Sequence, residues 1–245
     1  MDRSNFLPLR SLPRVFLANI PVDFRPIELP AEEYQKFHKV LRLGNGDQVA
    51  ILPGDGRILR CELEGHYAVP LEEQFPSTEP STHLTLIQAL PRMDKLENIV
   101  RLGTEIGVSH FVFFPSDRTV VRWDQKKMQE KMHRLRVIAT ESAEVSYRMH
   151  LPEMSQLKNL KEVLERFPKA LVLDESEKTT EILQSSSEKV ELVVGPEGGW
   201  SPREAEWIGD RGVTLGPRVL RVETAAVAAV ALVLLKPNCT KNGSQ

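Results

Sequence analysis

The chain has 245 residues, enough for one large domain or two modest ones. Its 41% hydrophobic and 27% charged residues are a globular composition, which excludes a disordered or fibrous chain. Lys and Arg number 32 against 34 Asp and Glu, a net charge of −2, so any polyanion site has to be a local patch.

In chain order, Val15–Ala18, Gln48–Leu52 and Ile58–Leu63 are rich in strand-forming residues. Gly44-Asn45-Gly46-Asp47 and Pro53-Gly54-Asp55-Gly56 are turn chemistry between them. A small barrel or sandwich is expected, with a helix-like spacing over Pro30–Leu43. Pro70, Pro76 and Pro80, with Ser77, Thr78 and Ser81, interrupt the pattern, so the domains are expected at 1–75 and 82–245.

From His83 strands and helices alternate, the pattern of a parallel sheet with helices on its faces. Leu84–Leu90 and Val108–Phe114 read as strands. Asp94 with Glu97 three residues on resembles a capping box opening a helix that stops at Gly107. A long helix is expected from Asp124 to about Arg148, then short strands at Ala170–Leu173 and Val190–Val194. Residues 118–136 carry seven basic side chains against Asp124 and Glu130. That run fits either a solvated helix face or an RNA surface.

Cys61 and Cys239 belong to no metal-ligand spacing, so reduced thiols and no metal are expected. Met1–Pro8 lacks the apolar core of a secretory signal, and the apolar run Ala225–Leu235 is about half of the ~20 residues that span a bilayer. The expectation is a cytoplasmic protein without a membrane partner.

Two segments carry chemistry. In Val193-Val194-Gly195-Pro196-Glu197-Gly198-Gly199-Trp200-Ser201-Pro202-Arg203-Glu204, an apolar strand enters a glycine-rich turn and leaves into a helix. Ser201 suits the N-cap, Pro202 the first helical position and Glu204 the third residue of a capping box. Glycines at 195, 198 and 199 let a ligand approach the backbone at a strand's carboxyl end. The loop lacks the Lys-Ser/Thr ending of a phosphate-binding P-loop and carries the anion Glu197, so a neutral or cationic ligand suits it better. In Leu215-Gly216-Pro217-Arg218-Val219-Leu220-Arg221-Val222-Glu223-Thr224 a Gly-Pro turn and two arginines precede the apolar helix Ala225–Leu235, which is expected to be buried under the sheet or at a subunit interface.

Together, GPEGGWSPREAE and LGPRVLRVETAA resemble the paired signature of the small-subunit ribosomal RNA methyltransferase E family, in the SPOUT superfamily. Pro13–Phe16, Val40–Leu43 with Gly46-Asp47, Ala89–Arg92, Asp94-Lys95, Thr104-Glu105, Gly107-Val108, Asp117–Thr119, Glu141, Ala143-Glu144, Ser146 and Arg148 follow its pattern in order. Departures are Met93 and Tyr147 where glycine is usual, Val145 where glutamine is usual, and Gln35-Lys36 in place of a histidine pair.

The resemblance implies an α/β fold: a C-terminal SPOUT trefoil-knot methyltransferase domain with a parallel sheet, plus a small N-terminal PUA-like β-barrel that binds RNA. It implies a homodimer using S-adenosyl-L-methionine to methylate N3 of a uridine in 16S ribosomal RNA. A SPOUT enzyme with another RNA target, or a non-catalytic RNA-binding protein, are the alternatives. The cofactor residues implied are Leu173, Gly195, Pro196, Glu197, Gly198, Gly199, Leu215, Gly216, Leu220 and Thr224. Arg221 is expected to stabilise the uracil anion and Glu223 to accept the N3 proton. Arg14, Arg42, Arg92, Lys95, Arg118 and Arg122 are expected to contact RNA phosphates.

Overall fold

Valine- and isoleucine-rich segments between glycine turns pair into a five-stranded mixed sheet. The strands are β1 (Arg14–Phe16), β2 (Ile27–Glu28), β3 (Gln48–Leu52), β4 (Ile58–Glu64) and β5 (Tyr67–Gln74), in the order β1-β3-β4-β5-β2. Only β1 and β3 run parallel. Val15, Val49, Ile51, Cys61 and Leu63 are fully buried in its core. The computed structural model describes residues 7–20, 23–119, 123, 125–175 and 188–235.

Strand β5 was not expected, because Pro70 reads as a breaker. It is accommodated opposite Cys61, just past a register shift between Arg60 and Cys61, where the ladder is already irregular. The expected helix over Pro30–Leu43 is a five-residue α1 (Ala31–Gln35) continued by π turns over Lys36–Val40. Arg42 then takes a left-handed φ of 58°.

The chain divides into two compact units, Met1–Glu79 with Ala143–Leu151, and Pro80–Ser142 with Pro152–Gln245. Residues Ala143–Leu151, expected in the C-terminal domain, therefore group with the first unit. Within that unit the buried Glu144 carboxylate accepts the Phe16 amide at 3.1 Å and the Lys36 ammonium at 2.7 Å. Arg148 pairs with Glu79 at 2.7 Å. Tyr147, expected to depart from a glycine in the family that the sequence resembles, has a φ of 60°, a conformation costly for a side chain. Its ring is covered by Arg14 at 4.9 Å and Arg10 at 5.3 Å, which offsets part of that cost.

The second unit is built on six strands, all parallel: β6 (His83–Ala89), β7 (His110–Phe114), β8 (Glu153–Gln156), β9 (Leu171–Leu173), β10 (Lys189–Val194) and β11 (Gly212–Val213). Their order is β11-β9-β10-β6-β7-β8. Alternate residues of each central strand serve opposite faces. Leu84, Leu86, Phe111, Phe113, Leu192 and Val194 pack toward α2 (Met93–Ile106), α3 (Gln125–Val145) and α6 (Val222–Leu234). Ile87, Val112, Phe114 and Val193 pack toward α4 (Leu160–Arg166) and α5 (Pro202–Ile208). This explains why the strands read as continuous apolar runs.

Two local expectations are corrected. Helix α2 begins at Met93 with Arg92 as its N-cap residue and no side-chain cap, and Glu97 instead pairs with Arg134 at 2.6 Å. Helix α6 is not wholly buried: Val222, Ala226, Ala229, Val230 and Val233 face the core, but Leu232 is 55% exposed. The sheet covers only one side of this helix, so its apolar character exceeds what this chain's own core uses. No helix of the described residues is long and apolar enough to cross a membrane.

Candidate active site

From β6 the chain builds outward to β7 and β8, then crosses to the other side of the sheet and returns as β9 and β10, placing β10 directly beside β6. The order thus reverses between β6 and β10, and open α/β sheets bind ligands at the carboxyl ends of strands at such a point. A cavity of about 680 Å³ lies there. Of the residues expected to bind the cofactor, Leu173, Gly195, Pro196, Glu197, Gly198, Gly199, Leu215 and Leu220 line it, and so does Arg221. Gly216, Thr224 and Glu223, the expected proton acceptor, do not. Gly216 is required for the turn itself, at a φ of 107°, with the Thr214 hydroxyl bonded to both its N–H and its carbonyl.

The first loop is held from three sides. Ser201 caps α5 through the Glu204 amide, and Glu204 returns a bond to the Ser201 amide, completing the capping box. The Glu204 carboxylate is 1% exposed and also accepts the Ser116 hydroxyl at 2.8 Å and the Asp117 amide at 3.0 Å. Asp117 bonds Ser201 and Arg203, which together hold its carboxyl below the usual range. On the strand side, Trp200 donates its indole N–H to the Leu173 carbonyl at 3.0 Å and packs beneath Gly195. Gln88, fully buried on β6, donates to the carbonyls of Ala89, Val194 and Gly195.

Glu197 faces the start of α2 rather than open solvent. It accepts the Arg92 amide at 3.3 Å and lies 3.3 Å from the Lys95 ammonium. Burial works against its charged form, but backbone hydrogen bonds and Lys95 outweigh that and hold its carboxyl below its ordinary value. The same ammonium lies 3.6 Å from Glu223 Oε2. Lys95 therefore joins the first loop to the start of α6.

Two residues expected to contact phosphate are thus committed elsewhere. Lys95 lines the cavity between two carboxylates, its side chain only 16% exposed. Arg14, in the first unit, donates to the carbonyls of Arg10, Leu12 and Glu144. Arg42 and Arg92 are exposed, and Arg118 lines the cavity and donates to the Gly198 carbonyl at 2.9 Å. Arg122 lies outside the described residues. Sequence reasoning missed Asp174, Glu175, Trp200 and Arg218 in the lining. Asp174 and Glu175 follow a strand end directly, a position that could have signalled them. Among the described residues no group of His, Cys, Asp and Glu is arranged to hold a metal.

Residues 78–234 match the RNA methyltransferase domain family. The chain is 34% identical to the ribosomal RNA small subunit methyltransferase E of Bacillus subtilis, over 84% of this chain and 88% of that one. It is 32% identical to the protein of the same name from Mycobacterium tuberculosis, over 79% and 80%. Among solved structures, it resembles a Legionella pneumophila methyltransferase in complex with the bound cofactor SAM, with a TM-score of 0.82 and 26% identity over 90% of this chain and 96% of that one. It also resembles the ribosomal RNA small subunit methyltransferase E of Neisseria gonorrhoeae bound to S-adenosyl methionine, with a TM-score of 0.79 and 26% identity over 90% and 95%. The paired loops, the reversal of strand order between them and these relatives place the chain in the ribosomal RNA small subunit methyltransferase E family.

Proposed function

We propose that this chain methylates N3 of a uridine in 16S ribosomal RNA, using S-adenosyl-L-methionine. The observation that carries the reading is one cavity, at the reversal of strand order, walled by both signature loops and by Arg221. Its lining fits the cofactor. Leu173, Leu215 and Leu220 offer apolar surface to a purine, the loop peptides offer donors and acceptors, and Asp174, Glu175 and Glu197 suit a ligand carrying a sulfonium and an ammonium. When bound, S-adenosylmethionine supplies a methyl carbon already activated by its positive sulfur.

The protein's own work is alignment and charge control. The target base leaves its stack and enters beside the loops. Its N3 proton must depart, to the Glu223 carboxylate or to water. The deprotonated N3, held by the residues of the cavity, would take the methyl group that bound S-adenosylmethionine would supply, with S-adenosylhomocysteine, a neutral thioether, as the other product. Arg221, at the N-cap position of α6, stabilises the uracil anion formed on the way. In this reading the first unit, Met1–Glu79 with Ala143–Leu151, is a PUA-like RNA-binding domain and the second, Pro80–Ser142 with Pro152–Gln245, a knotted SPOUT domain. The side of α6 that carries the half-buried Ala225 and Ala228 and the exposed Leu232 is the interface of a cytoplasmic homodimer.

Two measurements test the reading. Calorimetry should register binding of S-adenosylhomocysteine, and mapping of modified bases in ribosomes from cells lacking the chain should show the loss of one 3-methyluridine. No binding heat removes the cofactor; loss of a different modification redirects the enzyme to another RNA site.

A further inference from the structure

Four cations line the cavity: Lys95, Arg118, Arg218 and Arg221. Three are exposed arginines, whereas the Lys95 side chain is 16% exposed. A charge so shielded is less screened by water and salt, so it acts more strongly on charge developing beside it. Its position is also fixed. The ammonium lies 3.3 Å from Glu197 on the first loop and 3.6 Å from Glu223 at the start of α6. Glu223 Oε2 is buried, and no hydrogen bond competes with Lys95 for it. An ammonium has three N–H donors; Glu197 at 3.3 Å and Glu223 at 3.6 Å hold it as ion pairs, and at least one donor remains for the cavity that Lys95 lines.

We propose that Lys95 is a catalytic residue of the methyl transfer, presenting that remaining donor to a carbonyl oxygen of the target uracil. This rests on the reading of the site as a uridine methyltransferase. Once the N3 proton has left, the charge spreads over N3 and the two flanking carbonyl oxygens. One flank is met by Arg221 and the other by Lys95. The two carboxylates serve to hold the ammonium before the reaction begins, so no reorganisation is needed as the anion forms. Lys95 also neutralises them in turn. Without it, Glu197 in the cavity lining and Glu223 behind Lys95 would stand unopposed and repel the same anion.

The test compares the wild type with Lys95→Met on small subunits reconstituted with 16S RNA containing either uridine or 5-fluorouridine, whose N3 proton is more acidic. K95M should lower kcat on the uridine substrate about 100-fold or more, the scale of losing one donor to a developing anion. S-adenosylhomocysteine affinity by calorimetry should stay within about threefold. On 5-fluorouridine the deficit should shrink about tenfold, because an anion that forms more readily needs less stabilisation. An equal deficit on both substrates, no deficit, or a loss of S-adenosylhomocysteine affinity as large as the loss of rate would overturn the proposal. If thermal melting shows that K95M does not fold, Lys95→Gln, which keeps hydrogen-bond donors toward the carboxylates without the charge, is judged by the same ratio. A wild type that methylates neither RNA refutes the uridine reading itself, a result separate from any behaviour of the variant.

Discussion

The indole of Trp200 lies so close to Gly195 that a Cβ at that glycine would sit 3.1 Å from both Cε2 and Cζ2 of the ring. The ring has little freedom to retreat, because its N–H is bonded to the Leu173 carbonyl. Gly195→Ala should therefore push the first loop or the indole out of place, at the ~1–3 kcal/mol typical of overpacking. The expected result is a lower Tm together with weaker S-adenosylhomocysteine binding by calorimetry. A variant that keeps both would show that the loop yields easily.

Glu204 concentrates the anchoring of this loop in one buried carboxylate that accepts Ser116 Oγ and the amides of Asp117 and Ser201. Hydrogen bonds to a charged group are each worth about 1.5–3 kcal/mol. Glu204→Ala removes all of them and half of the capping box, so a loss of at least ~3 kcal/mol is expected by urea denaturation. Ser201→Ala, which removes the other half and the hydrogen bond to Asp117, should cost ~1–2 kcal/mol.

What could be read in advance follows from how local the cause is. Ser201, Pro202 and Glu204 act within one helical turn, and their capping box is present as written in the sequence. The central strands were legible because both of their faces are apolar. In the second unit the strands that escaped notice, β8 and β11, are edge strands of four and two residues, too short and too mixed to show a period. Lys95 shows the limit most clearly. Its neighbours Glu197 and Glu223 are about a hundred residues away in sequence, so nothing near it distinguishes an ion-paired cavity residue from a surface cation. The same holds for Arg14, whose guanidinium is occupied partly by the carbonyl of Glu144.

Glu197 makes the contribution of its contacts dependent on pH. Its carboxyl is held below its ordinary value of 4.5, so the folded chain binds fewer protons there than the unfolded chain as pH falls. The stabilisation from Glu197 is therefore complete above about pH 4.5 and is lost as pH drops through the lower folded value. Wild type and Glu197→Gln, compared by urea denaturation from pH 7 to pH 3, should differ most at neutral pH and converge in acid. A constant difference across that range would mean that Lys95 and the Arg92 amide do not favour the ionised form.

Arg221 lines the cavity without any ion pair among the described residues, unlike Lys95. Its part in the proposed reaction begins only when the uracil anion forms. Arg221→Ala should therefore lower kcat by about 100-fold or more, while S-adenosylhomocysteine affinity changes by less than about threefold. Equal methylation by the variant would remove Arg221 from the chemistry.

The commitments of Arg14 and Lys95 reduce the set of residues free to meet phosphate, and they sharpen what salt should do. Arg42 and Arg92 keep exposed side chains, and the exposed guanidinium of Arg118 spends one donor on the Gly198 carbonyl. If these three contact RNA backbone, the logarithm of affinity should fall with the logarithm of salt concentration at about 0.7 per contact on single-stranded RNA. Arg42→Ala should then lower affinity and flatten that slope by about 0.7, whereas Lys95→Met should leave the slope unchanged. Filter binding of a 16S fragment between low and moderate salt reads both. A slope that responds to Lys95 but not to Arg42 would return the lysine to the RNA surface and contradict its enclosure between Glu197 and Glu223.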